Sequence, residues 1–225
     1  MSLRLHAPNV IEQRRRARVD QVITAAFLVS GLALVLFVLL GVSLPLTLVM
    51  GWSAIAVGTW WFERNASTEA RARFHEVLRV GAIAGLGATV AYDLSRFALV
   101  HLFDLHIQPF GAFGAFGDAL LPGSAREGGA RVVGLGYHLV NGISFGIAYT
   151  GLFRRRGALT GIAYALVLEA VMLAIYPGWL DIEARREFTQ MSLLGHVAYG
   201  ATLGALARRL LAPEPEPDRL TAPGP

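Results

Sequence analysis

The sequence contains no cysteine. That excludes a disulfide framework, a thiolate metal site and an Fe–S cluster. It contains no lysine either, so all 20 basic residues are arginine. Charged residues make up only 16% of the 225 positions, where a soluble domain carries about a quarter. With a mean hydropathy of +0.50, this argues against an ordinary soluble domain. A disordered chain needs the opposite balance. Several chemical signatures are missing as well. There is no His-Glu-x-x-His pair and no Glu-x-x-His pair within the apolar segments. Gly134-Leu135-Gly136 lacks the third glycine of a dinucleotide fingerprint and sits inside an apolar run.

What the chain does have is long apolar sequence. Residues 22–62 hold no charged residue. One straight helix of that length would be about twice the bilayer thickness. The run therefore divides near Val42-Ser43-Leu44-Pro45 into spans of about 21–41 and 45–62. Trp60 and Trp61 close the second span, where indole rings favour the headgroup level. Further apolar stretches lie at about 79–103, 132–153, 158–178 and 190–210. The expected fold is an all-α integral membrane protein with six transmembrane helices over residues 21–211. An Arg-rich segment, 1–20, precedes it, and a Pro/Glu tail, 212–225, follows without the means to pack. Span 1 is too long and too late for an ordinary cleaved signal peptide. The longest loop, about 104–130, carries Phe110, Phe113 and Phe116 among glycines and alanines. It is apolar enough to dip into the membrane surface or cover a pocket.

The arginines report orientation. With the N-terminus inside, fifteen fall on cytoplasmic segments (4, 14–16, 18, 64, 71, 73, 79, 154–156, 208, 209, 219) and four outside (126, 131, 185, 186). The positive-inside bias places both termini in the cytoplasm. The net charge of +4 is therefore a topology signal directed at lipid headgroups. A nucleic-acid surface would gather the arginines on one face with stacking aromatics, so no nucleic-acid partner is expected.

The informative residues are the few polar ones inside the spans: Asp93, Arg96, His138, Asn141, Glu169 and His196. Ionisable groups in hydrocarbon are costly and face a bundle interior or a wet cavity. Counting back from the outer ends of the spans, at 1.5 Å per residue, Asp93, His138, Glu169 and His196 fall roughly 9–15 Å below the outer boundary. Beneath each runs a small-residue stripe: His138–Gly142–Gly146, His196–Gly200–Gly204, Asp93–Thr89–Gly85–Gly81 and Glu169–Ala165–Gly161. Such stripes let helices approach closely. The pattern predicts tight packing in the cytoplasmic half and an outward-facing polar pocket above. Each acid-bearing helix precedes a His-x3-Gly-x3-Gly helix ending in arginines, which suggests a duplicated hairpin in spans 3–4 and 5–6 (about 79–156 and 158–209).

These residues permit several chemistries. Asp93 and Arg96 are spaced to pair on one helix face; alternatively Arg96 holds the anionic group of a ligand. Asn141 either orients His138 or bonds across helices. The two histidines with two acids suit proton handling, a transition-metal site built from His138, His196, Glu169 and Asp93, or bis-His haem. No specific motif selects a metal or haem, and no residue can be named as catalytic. His101, Asp104 and His106 form a second, outer cluster that could pass a metal inward. The charged run Asp181–Glu187 reads as a solvated outer loop.

The stretch from Gly136 to Gly146 (GYHLVNGISFG), with Leu194–Gly200 (LGHVAYG), resembles poorly characterised bacterial inner-membrane proteins of the YagU-like kind over the last four spans. The resemblance implies a multi-pass protein of the bacterial cytoplasmic membrane and assigns no activity or functional residue. The functional expectation is therefore a pocket lined by Asp93, Arg96, His138, Asn141, Glu169 and His196. It would bind or transport a small molecule or ion, with proton coupling. An intramembrane metal- or haem-dependent enzyme and a structural membrane subunit are the alternatives.

Overall fold

The computed structural model describes residues 19–121, 127–182 and 184–212. Most of the Arg-rich N-terminal segment, nearly all of the Pro/Glu tail, part of the 104–130 loop and Glu183 lie outside those residues. Among the described residues the chain is all-helical, with eight helices and no strand. They are α1 (Val19–Ala26), α2 (Val29–Leu40), α3 (Leu44–Asn65), α4 (Thr68–Leu102), α5 (Ala112–Leu120), α6 (Glu127–Phe153), α7 (Ala158–Trp179) and α8 (Arg185–Leu210).

Four of these, α3, α4, α6 and α7, are long and apolar enough to cross a membrane. The count rises to five if α1 and α2 form one span, bent by 48° at Phe27–Leu28. The first expected span is thus not a single straight helix. The sixth expected span is the 26-residue helix α8, long enough to cross but not apolar enough to be counted by the same measure.

The break between α2 and α3 has a clear local cause. Gly41 adopts a left-handed φ of 67° and its N–H donates to the Phe37 carbonyl, ending α2. Ser43 then caps α3 by accepting from the Leu46 N–H, and Pro45 sits in the first turn, where its missing N–H costs nothing. Ser67 caps α4 by accepting from the Ala70 N–H.

The core is built on glycine. A Cβ on Gly85 would strike the Gly142 carbonyl, and one on Gly146 the Gly81 carbonyl. In the second helix pair, a Cβ on Gly161 would strike the Gly200 carbonyl, and one on Gly204 the Gly157 carbonyl. Backbones therefore touch directly between α4 and α6 and between α7 and α8, as the small-residue stripes predict. The α4 helix also packs along α8, whereas α6 and α7 barely meet. The stretch expected as a long loop contains α5, which packs on α6. Gly117 and Gly134 make that approach possible, because a Cβ on either would overlap the facing backbone.

Candidate functional site

The polar residues of α4, α6, α7 and α8 converge at one level, above the glycine contacts. His138 on α6 meets Asp93 on α4, with Nε2 at 3.1 Å from Oδ1 and 3.2 Å from Oδ2. His196 on α8 meets Glu169 on α7, with Nδ1 at 2.9 Å from Oε2. The same nitrogen lies 3.0 Å from the Ser192 carbonyl, in good hydrogen-bond geometry. Neither Glu169 oxygen has a well-directed hydrogen bond, although the residue is 0% exposed. A fully buried carboxylate is tolerated only when its charge is compensated or removed by a proton. The ring of Tyr92 joins the two pairs. Its centroid is 5.9 Å from that of His138 and 4.9 Å from that of His196.

Arg96 does not pair with Asp93. Asp93 is turned to His138, and Arg96 lies over the Tyr92 ring, with Cζ 4.9 Å from the centroid. Arg96 is only 7% exposed, and its Nε has no hydrogen-bond partner. Asn141 likewise keeps a buried Oδ1 without a partner. His138 is oriented by Asp93 rather than by Asn141.

A cavity of about 320 Å³ opens beside this layer. One wall is polar, with Thr89, Tyr92, Arg96, His138, Asn141 and His196. The other is apolar, with Leu28, Leu32, Val35, Leu168, Val171 and Met172. Phe113 and Phe116 of α5 also line the cavity, and Phe113 packs on His138 with centroids 5.1 Å apart. The loop expected to cover a pocket does so through this helix. Of the six expected pocket residues, Arg96, His138, Asn141 and His196 line the cavity. Asp93 and Glu169 stand behind the two histidines.

The four metal candidates do not form one donor set. Among the described residues, no three His, Asp or Glu side chains gather as a metal site; the candidates form two separate pairs. A porphyrin held by both histidines does not fit either, because the Tyr92 ring contacts both imidazoles. The outer cluster also disperses. His101 Nδ1 lies 2.8 Å from the Phe97 carbonyl, and the His106 backbone N–H donates to Glu187 at 2.8 Å.

Sequence reasoning overlooked Tyr92, Phe113 and Tyr199 as cavity residues. Two were within reach of helical periodicity. Tyr92 shares a face with Arg96, and Tyr199 lies one turn from His196. Phe113 depends on the folding of α5 onto α6, which no periodicity announces.

The two helix pairs match at their acid, histidine and glycine positions. A shift of 76 residues carries Gly81, Gly85 and Asp93 of α4 onto Gly157, Gly161 and Glu169. A shift of 58 carries His138, Gly142 and Gly146 of α6 onto His196, Gly200 and Gly204. The same shifts pair Tyr92 with Leu168, Arg96 with Met172 and Asn141 with Tyr199, all of which line the cavity.

The model of a family of unknown function matches residues 75–218. That segment takes in most of α4 and all of α5 to α8, with every polar residue of the layer; α1, α2 and α3 precede it. No curated protein and no solved structure matches the chain. Nothing in these comparisons connects it to YagU-like proteins. The chain belongs to DUF6789, a family of unknown function.

Proposed function

We propose that this is a six-span membrane protein that binds, and carries across the bilayer, a small molecule held in the cavity beside the two His–acid pairs. In this reading α1 and α2 form the bent first crossing and α8 the last. Both termini face the cytoplasm, in keeping with the arginine distribution, and the cavity faces outward. The matching 76- and 58-residue shifts support descent of the two hairpins from one duplicated unit. The localisation that follows is a bacterial cytoplasmic membrane.

The observation that carries the reading is the cavity itself. It is mostly apolar, with a few convergent polar groups on one wall, which is the usual character of a small-molecule site. The His–acid pairs supply the proton coupling. The ionisable groups facing the layer are Tyr92, Asp93 and Arg96 from α4, His138 from α6, Glu169 and Tyr176 from α7, and His196 and Tyr199 from α8; α2 and α5 offer only apolar lining. With both acids ionised and Arg96 charged, one protonated histidine neutralises the layer. A change in ligand charge then shifts the proton count, because charge in a low-dielectric interior is compensated.

The test is transport-coupled current from proteoliposomes under an imposed pH gradient, recorded across a panel of small metabolites. Wild type is expected to respond to at least one class. His138→Leu and Glu169→Gln are expected to lose the response while inserting normally. Full activity in both variants would sink the proposal. So would a stoichiometric transition metal or a Soret band in protein purified without chelators, since either would favour the enzyme alternative.

A further inference from the structure

The cavity's two walls differ in a way that specifies its occupant. This step rests on the binding-site reading above and names the ligand class. Among the described residues, Arg96 is the one arginine that lines the cavity. It is more than nine-tenths buried, Nε is unpartnered, and Asp93, one turn away on the same helix, is committed to His138. Guanidinium binds carboxylate, sulfonate and phosphate oxygens through paired N–H donors. Asn141 adds a further polar group on the same wall, its Oδ1 buried without a partner.

Opposite this polar wall the lining is aliphatic and reaches the outside. Leu32 of α2 and Val171 of α7 both line the cavity, yet they are 53% and 46% exposed. On helices that cross a bilayer, that exposure is to lipid. The gap has a structural origin. The α4 and α8 helices pack together, but the equivalent pair, α7 and α6, barely touches, and α2 leans over the opening. A residue difference explains the asymmetry. Gly195 lets α8 approach Tyr92 and Arg96 of α4 closely, because a Cβ there would collide with both side chains. The equivalent position on α6 is Tyr137, a bulky ring whose hydroxyl donates to the Ser30 carbonyl of α2 at 2.7 Å.

We propose that the cavity takes an amphiphilic anion, with its acidic head on Arg96 and its hydrocarbon body along α2 and α7, and that it enters sideways from the bilayer between those helices. Carboxylate and phosphate heads share the required chemistry, and competition distinguishes them.

The experiment uses the full chain in lipid nanodiscs. The probe is hexadecanesulfonate carrying a diazirine on its chain, with labelled residues read by peptide mass spectrometry. Labelling is expected on α2 and α7. Hexadecanoate or hexadecyl phosphate should compete at least tenfold better than hexadecanol, and the better of the two identifies the head group. Arg96→Gln should shrink that preference to less than threefold, and Arg96→Lys should restore part of it. Val171→Trp, on the lipid side of the gap, should slow labelling while Arg96 is intact. Equal competition by hexadecanol in wild type, or an unchanged preference in Arg96→Gln, overturns the anion assignment. In that case cavity labelling would survive and the binding-site reading would stand. Labelling spread over the outer helix surfaces and unaffected by Val171→Trp overturns both.

Discussion

The two hairpins are built alike and placed differently. In each, an acid-bearing helix meets a His-bearing helix over a ladder of glycine contacts. In the α4–α6 pair, His138 and Asp93 keep 17% and 20% of their side-chain surface exposed. In the α7–α8 pair, His196 and Glu169 keep 9% and 0%. The first pair faces the cavity and is roofed by α5. The second is more deeply buried, with His196 on the cavity wall and, behind it, a carboxylate that has no directed hydrogen bond. Two copies of one device thus sit at different depths of burial. The lining differs in parallel, with Arg96 and Asn141 on one hairpin where Met172 and Tyr199 stand on the other.

The largest expected effect comes from breaking what the hairpins share. Gly161→Leu and Gly85→Leu each place a side chain against facing backbone. Overpacking of this kind costs about 1–3 kcal/mol or more even where neighbours can adjust, and backbone carbonyls adjust least. Both variants should fail to give a monodisperse peak on gel filtration. Gly136→Leu, where a Cβ meets nothing, should behave as wild type. Equal behaviour of all three would show that the glycine contacts do not hold the hairpins together.

Next comes the difference in burial. His196→Leu leaves Glu169 buried without its partner, a loss of about 3–5 kcal/mol when the uncompensated charge cannot escape. His138→Leu leaves Asp93 beside the cavity, where the loss is closer to about 1–3 kcal/mol. Thermal unfolding in one detergent should show the larger fall for His196→Leu. The reverse order would contradict the deeper burial of the His196–Glu169 pair. The smallest effect belongs to the outlying pair His75 and Glu63, 2.6 Å apart but 63% and 32% exposed. Exposed pairs contribute about 0–1 kcal/mol, so Glu63→Gln should leave the unfolding temperature within a degree or two.

Much of this arrangement was legible before the helices were placed in space. Hydrophobic runs located α3, α4, α6 and α7 to within a few residues at most ends, except where α4 and α6 begin earlier. Helical periodicity placed both acids and both histidines above their glycine stripes. Depth counting put them in one layer, where the Tyr92 ring now touches both imidazoles. Three features were not legible, each for a physical reason. The bend within the first span has no proline or glycine at Phe27–Leu28 to announce it. Asp93 and Arg96 satisfy the i, i+3 spacing that predicts a pair, but a partner on another helix won. The amphipathic helix α5 looked like loop because glycines punctuate it, yet one of them, Gly117, is what lets it lie against α6.

In the proposed function the layer exchanges a proton when a ligand alters its charge. Hexadecanesulfonate tests this directly, because its head group carries no titratable proton near neutral pH. Binding to the nanodisc-embedded protein is measured by calorimetry at pH 7 in two buffers of different ionisation enthalpy. The difference in heat gives the protons taken up. Uptake of about one proton per anion bound is expected, by linkage between ligand and proton, falling toward zero in His138→Leu. Binding with no proton uptake in wild type would contradict it.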